Sequence, residues 1–355
     1  MQGQISSKNY ELLDVYVGID VHKKNWKVCV LGPTYEFKTF SQDPNAEQLY
    51  EYLNRHFPKG NIKAVYEAGF CGFNLARELL SLGIDCVVVN PADVPTQHKE
   101  RDQKSDKIDA RKLATSLRGG LLQGINIPEE VQRADYSLVL QRKTLVRDIT
   151  RWKNRVKSYL DFTGIPLGVT EMQSRHWSKN YIEWLKGLQV GEHHKRVLNN
   201  YVEIGVKLRE HLKQVNKQIR ELSRTTRYGK DVELLLSIPG IGPVSAMLIL
   251  TKIGSIHRFK TSDQFRSFVG IAPSTRSSGE KEVTVGLTSR GTRELREVII
   301  EASWTVVRTD PSMMLKFEGL VKRMNKNKAI IRIARSLLNR IRTVLKNQTP
   351  YTLGI

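Results

Sequence analysis

Acidic residues are few in this sequence of 355 residues: 36 Asp and Glu stand against 57 Lys and Arg, which leaves a formal net charge of +21. An excess of this size favours a polyanionic partner, and nucleic acid before an anionic membrane surface. The sequence also lacks an apolar run of membrane-spanning length, and its N-terminus lacks the basic-then-apolar order of a signal peptide. We therefore expect a soluble, cytoplasmic protein.

Cysteine is scarce as well. The three cysteines, Cys29, Cys71 and Cys86, are odd in number and show no C-x-x-C spacing. Neither a disulfide framework nor a zinc knuckle is indicated, and we expect three small, buried, apolar side chains. The length and the 40% apolar content leave room for two domains and a sizeable core.

Strand and helix patterns alternate along the first hundred residues. Strands are predicted at 15–22, 26–31, 36–40, 63–67 and 85–90, and helices at 45–56 and 72–82. The Gly32-Pro33 break predicts that neighbouring strands form an antiparallel meander. Three strands followed by helix, strand, helix and strand is the order of a ribonuclease H-like domain, although doubly wound α/β folds share much of it.

The first of these strands carries a carboxylate, Asp20, within a run of β-branched and aromatic residues. An ionised, unpaired carboxylate in a buried strand is costly, so Asp20 is predicted to be protonated, bridged to a basic partner or bound to a metal. Gly18 beside it allows another backbone, a ligand or a phosphate to come close. The simpler interpretation is an Asp at the solvent end of the strand, where it starts a turn.

Three further acids accompany Asp20. Glu67 closes the predicted strand 63–67, at the edge of an open α/β sheet where ligands collect. Asp106 and Asp109 fall on one face of a helix for which Ser105 supplies an N-cap. Two carboxylates on one helix face repel each other, and a divalent cation removes that conflict. The alternative is that both are first-turn acids favoured by the helix dipole.

Together these four acids form a set of hard oxygen ligands, which suits Mg²⁺. We expect the side chains of Asp20, Glu67, Asp106 and Asp109 to converge within one coordination shell. A pair of such ions about 3.5–4 Å apart can hold the attacking and the leaving oxygen of a phosphoryl displacement. The acids therefore predict metal-dependent phosphoryl transfer on nucleic acid.

The composition changes near residue 131. Apolar residues recur at near-heptad spacing through two long helical segments, roughly 138–159 and 197–222, and the first is crowded with arginine and lysine. An antiparallel coiled-coil arm or a dimerisation element is predicted. The segment between the two helices, 166–194, has no assigned role.

Two motifs follow in the last third of the chain. The run Pro239-Gly240-Ile241-Gly242 has the form of a helix-hairpin-helix turn, whose exposed amides can hold a phosphate without reading bases. A purely structural turn between helices is the alternative. The segment 268–281 is rich in hydroxyl groups and is accompanied by the cations Arg276, Lys281 and Arg290. It can therefore hold a nucleophile near a phosphate. The alternative is a solvated loop.

These pieces occur in the order found in the DEDD-type insertion-sequence transposases, which the chain resembles. This family also contains the Piv-type DNA invertases, and its insertion-sequence members are guided by a bridge RNA. The resemblance covers about residues 15 to 310. The matching segments are Gly18-Ile19-Asp20, Glu67-Ala68, Ser105 to Arg111, Ile238 to Gly242, Gly270 to Gly279 and Ser289-Arg290-Gly291.

The resemblance implies a three-part organisation. Residues 12–130 would form an α/β ruvC-like (ribonuclease H-like) domain that binds Mg²⁺ through the four acids. Residues 131–230 would form a helical coiled coil for dimerisation. Residues 231–350 would form a mainly α transposase domain with the helix-hairpin-helix-like turn and the serine loop. A serine of this loop is expected to become joined to a DNA phosphate, with exchange through a Holliday-type junction. The family motif matches Ser278, with Ser277 as the neighbouring alternative.

The resemblance also implies partners: double-stranded donor and target DNA, a structured guide RNA and further copies of the chain in a homodimer or homotetramer. A prokaryotic, nucleoid-associated location without membrane contact is expected. Candidate nucleic-acid contacts lie beside the motifs and in the basic C-terminal segment, and they are Lys104, Arg111, Gly240, Gly242, Arg276, Lys281, Arg290, Arg332 and Arg335.

Two other function classes stay open. A metal-dependent junction-cleaving nuclease would need the four acids but no serine. A non-catalytic nucleic-acid-binding protein would need neither the acids nor Mg²⁺.

The C-terminal segment 328–346 is predicted to be an amphipathic helix. Its apolar stripe is predicted to dock on the transposase domain, while its cations face phosphates. These cations are Arg332, Arg335, Arg340, Arg342 and Lys346. The alternative is that they form only a solvated face of the helix.

Overall fold

The N-terminal unit of the chain, Met1–Ile127, is built on a five-stranded sheet. The computed structural model describes residues 13–95, 106–165, 177–278, 281–287 and 291–353. The strands of this unit are β1 (Asp14–Val21), β2 (Trp26–Leu31), β3 (Glu36–Gln42), β4 (Asn61–Glu67) and β5 (Asp85–Val89), and its helices are α1 (Ala46–His56), α2 (Asn74–Ser81) and α3 (Asp106–Arg118).

Strand β1 lies at the centre of the sheet, whose strand order is β3-β2-β1-β4-β5. Antiparallel pairing joins β1 to β2 and β2 to β3, and parallel pairing joins β1 to β4 and β4 to β5. The predicted meander is confirmed.

Of the cysteines, Cys29 and Cys86 are buried free thiols as predicted, whereas Cys71, in the turn after β4, is only partly buried.

Helix α3 packs directly on β1 at Gly18. A Cβ atom built on Gly18 would lie 2.1 Å from the carbonyl oxygen of Ala110 and 2.5 Å from the amide nitrogen of Ala114. The helix backbone therefore occupies the space that any side chain would need, and the predicted close approach at Gly18 is confirmed. Since Ala110 and Ala114 lie at Gly18 while Asp106 lies near His22, α3 runs antiparallel to β1.

Gly18→Ala is expected to lower the free energy of unfolding by about 1–3 kcal/mol, because the added methyl group forces α3 away from the sheet. Urea unfolding followed by circular dichroism measures this loss. Gly69→Ala is the matched control, since a Cβ at Gly69 would meet only the Glu67 carbonyl oxygen, at 3.9 Å. Equal stability of the Gly18→Ala and wild-type proteins would contradict this packing.

The second unit, Pro128–Ile355, is mostly helical. It contains two long helices with a short one between them, then a bundle interrupted by a two-stranded hairpin. Its helices are α4 (Glu130–Phe162), α5 (Lys179–Gly187), α6 (Glu192–Leu222), α7 (Gly229–Leu236), α8 (Pro243–Ile253), α9 (Ser262–Val269), α10 (Arg293–Thr309), α11 (Pro311–Val321) and α12 (Lys326–Asn347), and its strands are β6 (Pro273–Ser278) and β7 (Lys281–Leu287).

The two long helices predicted for the middle of the chain are present as α4 and α6, and they pack against each other. Trp152 of α4 lies over Gly205 of α6, where a Cβ atom would clash with the indole ring, and its Nε1 donates to the Tyr201 carbonyl oxygen at 2.7 Å. Helix α5 packs with them through the buried side chains of Tyr181, Ile182 and Leu185. Part of the segment without a predicted role therefore supplies a third helix to this cluster.

Helices α7 to α12 enclose the largest core of the second unit. Helix α8 is almost entirely buried within it. No helix in the described ranges is both long enough and apolar enough to cross a membrane. The apolar stripe of α12 docks into this core as predicted, and its buried members include Ile330, Ile333, Ala334, Leu337, Ile341 and Val344.

The prediction that the cations of α12 face phosphates is wrong for Arg340 and Arg342, and Arg335 also donates to a backbone carbonyl oxygen. Arg340 is ion-paired with Asp310 at 2.5 Å, and Arg342 donates to the carbonyl oxygens of Phe259 and Lys260. Both side chains join elements of the helical core. The reason is geometric, because a helix that buries a wide apolar stripe also turns its flanking positions toward neighbouring helices.

Asp310 is the polar centre of this core. Its carboxylate is completely buried and accepts hydrogen bonds from the Met313 amide, Arg340 and the Tyr351 hydroxyl. Burial by itself raises the pKa of the carboxyl group, but the hydrogen bonds from Tyr351, the Met313 amide and Arg340 outweigh it and hold the pKa of Asp310 below its ordinary value. Asp310 thus caps α11 and ties it to α12 and to the C-terminal residues.

Asp310→Ala is expected to lower the free energy of unfolding by about 3–5 kcal/mol at pH 7, because it leaves Arg340 largely buried without its charge partner. The native pKa is depressed, so this contribution is present above the unfolded pKa of about 3.9 and is lost as the pH falls through the native pKa. Urea unfolding at pH 7 and pH 3 checks both points, and the difference from wild type should shrink at pH 3.

The control for Asp310→Ala is Asp263→Ala. Asp263 forms an i,i+3 pair with Arg266, but its side chain is 85% exposed. An exposed pair contributes under about 1 kcal/mol. If the two variants lost equal stability, the buried network around Asp310 would not stabilise the helical core.

Candidate active site

Two carboxylates and an imidazole meet at the carboxyl end of β1. His22 Nε2 lies 3.0 Å from Asp20 Oδ2 and 3.6 Å from Asp106 Oδ2, so the imidazole stands between the carboxylates. One ligand atom from each of the three residues lies within 4.8 Å of the others. The structure therefore brings Asp20 and Asp106 together, as the sequence predicted.

The local fold explains this meeting. Positions 18, 20 and 22 share one face of an extended segment, and α3 covers that face at Gly18. Because α3 runs antiparallel to β1, its first turn lies beside the residues that follow Gly18. Asp106 is the first residue of the helix, which places its carboxylate next to Asp20 and His22.

The electrostatics of Asp20 reflect this crowding. Burial raises the pKa of its carboxyl group, and the adjacent His22 opposes that effect. The negative charges of Asp106 and Asp109 raise the pKa further. A cation placed among these carboxylates would relieve their mutual repulsion, whether it is a protonated imidazole or a metal ion.

Glu67 and Asp109 lie close to this group but outside the set of atoms within 4.8 Å. Strands β1 and β4 pair in parallel with Ile19 opposite Tyr66, so Glu67 is the residue of β4 that comes level with Asp20. Asp109 is one helical turn after Asp106, half-buried, and near enough to influence the ionisation of Asp20. Their membership of one coordination shell stays a prediction.

The donor set fits a divalent cation. Carboxylate oxygens suit Mg²⁺ and Mn²⁺, whereas an imidazole nitrogen suits softer divalent ions. With Mg²⁺ bound, Asp20 and Asp106 would be the ligands, and His22 would rotate away or hydrogen-bond to one of them. The half-exposed edge leaves room for waters and phosphate oxygens, which such an ion retains.

His22 is the residue that the sequence interpretation missed. It stands two positions after Asp20, and the same alternation that sets the face of a strand would have indicated that the two side chains are neighbours. A single histidine at a strand end has no periodic signal of its own. The available clue was therefore its spacing from Asp20.

The predicted serine loop is a two-stranded hairpin. Strands β6 and β7 pair antiparallel from Pro273 opposite Leu287 to Ser278 opposite Lys281, so Ser278 occupies the last paired position before the tip. The base of the hairpin is closed by two glycines, because a Cβ on Gly291 would lie 2.5 Å from the Cα of Gly270. Arg276 and Lys281 also belong to the paired strands, while Lys104 and Arg290 fall outside the described residues.

The turn that was predicted to resemble a helix-hairpin-helix connects α7 to α8. Gly240 has a φ of +82°, and a Cβ there would lie 2.7 Å from the Ala302 carbonyl oxygen of α10. This glycine is required by the turn and by its packing. Gly242 is the N-cap of α8, and a Cβ on it would meet open space. Of the two glycines, only Gly242 is therefore placed for a phosphate to approach.

The remaining basic candidates differ in their contacts. Arg111 pairs with Glu36 at 2.9 Å, so a phosphate would have to compete with that carboxylate. Arg335 donates from Nε to the carbonyl oxygen of Ile271, the residue that leads into β6. Burial lowers the pKa of Arg335, and the positive charges of the neighbouring Arg266 and Arg332 lower it further. Cations are therefore clustered at the base of the hairpin formed by β6 and β7.

Comparison with known proteins gives two family matches. A family profile described as a transposase, of the DEDD type found in IS110, matches residues 17–165, which include the whole acidic site. A second profile, described as the Transposase IS116/IS110/IS902 family, matches residues 232–318, which include the hairpin and the α7–α8 turn. The two matched segments follow each other without overlap.

Three curated relatives extend these matches along the chain. The chain is 28% identical over 305 residues to a transposase for insertion sequence element IS1533 from Leptospira borgpetersenii, covering 82% of this chain and 84% of the relative. It is 27% identical over 291 residues to a transposase for IS1111A from Coxiella burnetii, covering 78% and 76%. It is 25% identical over 366 residues to a pilin gene-inverting protein from Moraxella bovis, covering 95% and 97%.

Proposed function

Because this chain belongs to the IS110 family of DEDD-type insertion-sequence transposases, we propose that it inserts, excises or inverts a mobile DNA element by serine-dependent strand exchange at a Mg²⁺ site. The observation that carries this proposal is the cluster of Asp20, His22 and Asp106 at the carboxyl end of β1. The excess of basic residues suits a DNA substrate.

Asp20 and Asp106 would hold the metal, with Glu67 and Asp109 completing its surroundings. A bound Mg²⁺ supplies Lewis-acid polarisation of a phosphate oxygen and lowers the pKa of an attached hydroxyl group. Asp20 and Asp106 would fix the position of that ion, and the half-buried setting of Asp20 strengthens its electrostatic interactions. His22 would support one of the carboxylate ligands.

Ser278 is the proposed nucleophile. Its hydroxyl oxygen attacks the scissile phosphorus, and the bond from phosphorus to one sugar oxygen breaks. The hydroxyl proton leaves to a base or to solvent, and the departing sugar oxygen takes up a proton, so the product is a serine phosphodiester with a free DNA hydroxyl end. Reversal of this step with a different DNA hydroxyl completes the exchange. The position of Ser278 near the tip of the hairpin supports this role.

The finer organisation belongs to the same proposal. The strand order of the N-terminal unit supports a ruvC-like (ribonuclease H-like) catalytic domain. The long helices α4 and α6 would form a coiled coil that joins protomers into a dimer or tetramer, and the α7–α8 turn would act as a helix-hairpin-helix contact to DNA. A structured guide RNA would select donor and target.

The experiment that tests the proposed function is metal removal. Strand cleavage of a supercoiled plasmid carrying the element ends, with the RNA transcribed from its flanks, should stop in EDTA and return with Mg²⁺ or Mn²⁺. DNA binding, measured by gel shift, should change little, because it rests on the basic surface. Cleavage that persists in EDTA would refute a metal-dependent mechanism.

A further inference from the structure

An aromatic side chain without an assigned role lies at the same edge of the sheet as the acidic site. Phe70, three residues after Glu67, has 60% of its surface exposed. One exposed apolar side chain is ordinary on a protein surface, so the exposure of Phe70 gains significance only from its place beside the acidic residues. The ring is therefore a candidate contact for the substrate.

The turn that carries Phe70 is built to hold it there. The Gly72 amide donates to the Gly69 carbonyl oxygen at 3.1 Å, which makes Phe70 and Cys71 the central residues of a tight turn. The hydroxyl of buried Tyr66 donates to the Gly72 carbonyl oxygen at 2.9 Å. Gly72 has a φ of +60°, a conformation that glycine adopts readily. The ring is thus presented by an ordered backbone, which reduces the entropy lost on binding.

A cation completes the arrangement. The ammonium group of Lys23 lies 5.8 Å from the centroid of the Phe70 ring, within the range of a cation–π interaction. Lys23 directly follows His22, so this contact joins the ends of β1 and β4, the two strands that carry Asp20 and Glu67. A ring and an ammonium group side by side match the base and the phosphate of a nucleotide.

We propose that Phe70 stacks on an unpaired base of the DNA at the acidic site, while Lys23 contacts a neighbouring phosphate. Bases within a regular duplex are already stacked on both faces, so a ring can receive only a base that is unpaired, extruded or at a strand junction. The substrate that fits this site is therefore DNA with an unpaired nucleotide next to the reacting phosphate. This inference rests on the proposed function and names the form of DNA that the site takes.

The test uses a synthetic four-way DNA junction with 2-aminopurine at the branch point, and a fully paired duplex of the same length. Binding is measured in Ca²⁺, which takes carboxylate oxygens as Mg²⁺ does. The wild-type protein should raise the fluorescence of the junction probe, because the base leaves the DNA stack. Phe70→Ala should remove most of that rise and weaken junction binding roughly 5- to 100-fold. Its affinity for the duplex should change less than twofold.

Two substitutions at the same position separate stacking from apolar bulk. Phe70→Trp should keep wild-type affinity for the junction, whereas Phe70→Leu should behave like Phe70→Ala. Phe162→Ala is the matched control, since Phe162 of α4 is 90% exposed and belongs to the other compact unit. Its fluorescence signal should equal that of wild type.

Three outcomes would overturn the inference: an unchanged fluorescence rise with Phe70→Ala, wild-type binding by Phe70→Leu, or equal losses on junction and duplex. The last two outcomes would mean that Phe70 makes an apolar contact with protein or DNA that does not depend on stacking on an unpaired base. Failure of the proposed function can be told apart from failure of this inference. The first would appear as cleavage in EDTA, whereas the fluorescence experiment measures binding and involves no cleavage.

Discussion

Asp20→Asn is expected to abolish strand cleavage and exchange while leaving DNA binding nearly unchanged. The substitution keeps the size of the side chain but removes the charge that, in the proposed function, would hold the metal beside Asp106. Lewis-acid stabilisation of this kind contributes several kcal/mol, so the cleavage rate should fall on the order of a thousandfold or more. A single-turnover cleavage assay at saturating protein measures the rate, and a gel shift measures binding.

Asp14→Asn is the matched control for this experiment. Asp14 lies at the opposite end of the same strand, where its carboxylate accepts a hydrogen bond from Asn61 at 2.7 Å. Its replacement should leave the cleavage rate within about twofold of wild type, since it has no part in the acidic site. Wild-type cleavage by Asp20→Asn would refute the assignment of the catalytic metal to β1.

Ser278→Ala is expected to remove a covalent protein–DNA species altogether. Attack by a serine hydroxyl leaves a phosphodiester that survives boiling in detergent, whereas hydrolysis by water leaves none. The species is detected as labelled DNA that migrates with the protein on a denaturing gel. Ser277→Ala is the control one position away in β6 and should still form the adduct.

Full activity of the double variant Ser277→Ala/Ser278→Ala would eliminate the serine mechanism. The metal-dependent nuclease without a covalent intermediate would then be the better explanation of the acidic cluster. Peptide mapping of the trapped adduct identifies the modified serine directly. An adduct on Ser277 would move the nucleophile by one position.

A complementation experiment follows, because Ser278 and the acids belong to different compact units of the chain. Ser278→Ala and Asp106→Asn proteins should each be inert. If two protomers share the reaction, a mixture of the two proteins should regain part of the wild-type rate. Continued inactivity of the mixture would mean that one chain supplies both the serine and the acids.

Local patterns were sufficient to predict most of the N-terminal unit. The alternation of apolar residues and the glycine–proline breaks located β1 to β5 within two residues of their observed ends. The unpaired charge of Asp20 and the small size of Gly18 correctly indicated a close neighbour. That neighbour was α3, and its identity depended on a packing contact between distant segments, which periodicity does not encode.

The contacts that could not be predicted are those that join distant polar residues. The sequence does not single out His22, because one histidine forms no repeat. It does not reveal the ion pair of Arg340 either, because the partner carboxylate is 30 positions away in the sequence. Buried ion pairs depend on which helix faces meet, and helical periodicity predicts the face of one helix only. The four-carboxylate shell was a set of such distant contacts, and the structure brings two of its members together with an imidazole.

The contact between β1 and α3 joins residues that are far apart in the sequence, so we expect it to form last when the N-terminal unit folds. Strand β1 meets β2 through a short turn, but four strands and two helices separate Gly18 from its contact with Ala110 in α3. Loop-closure entropy delays contacts of this kind until the intervening chain is ordered. We therefore expect Asp20 and Asp106 to come together late, so that a nascent chain with a formed sheet still lacks the paired carboxylates. Catalytic competence in this protein would thus report that the unit has finished folding.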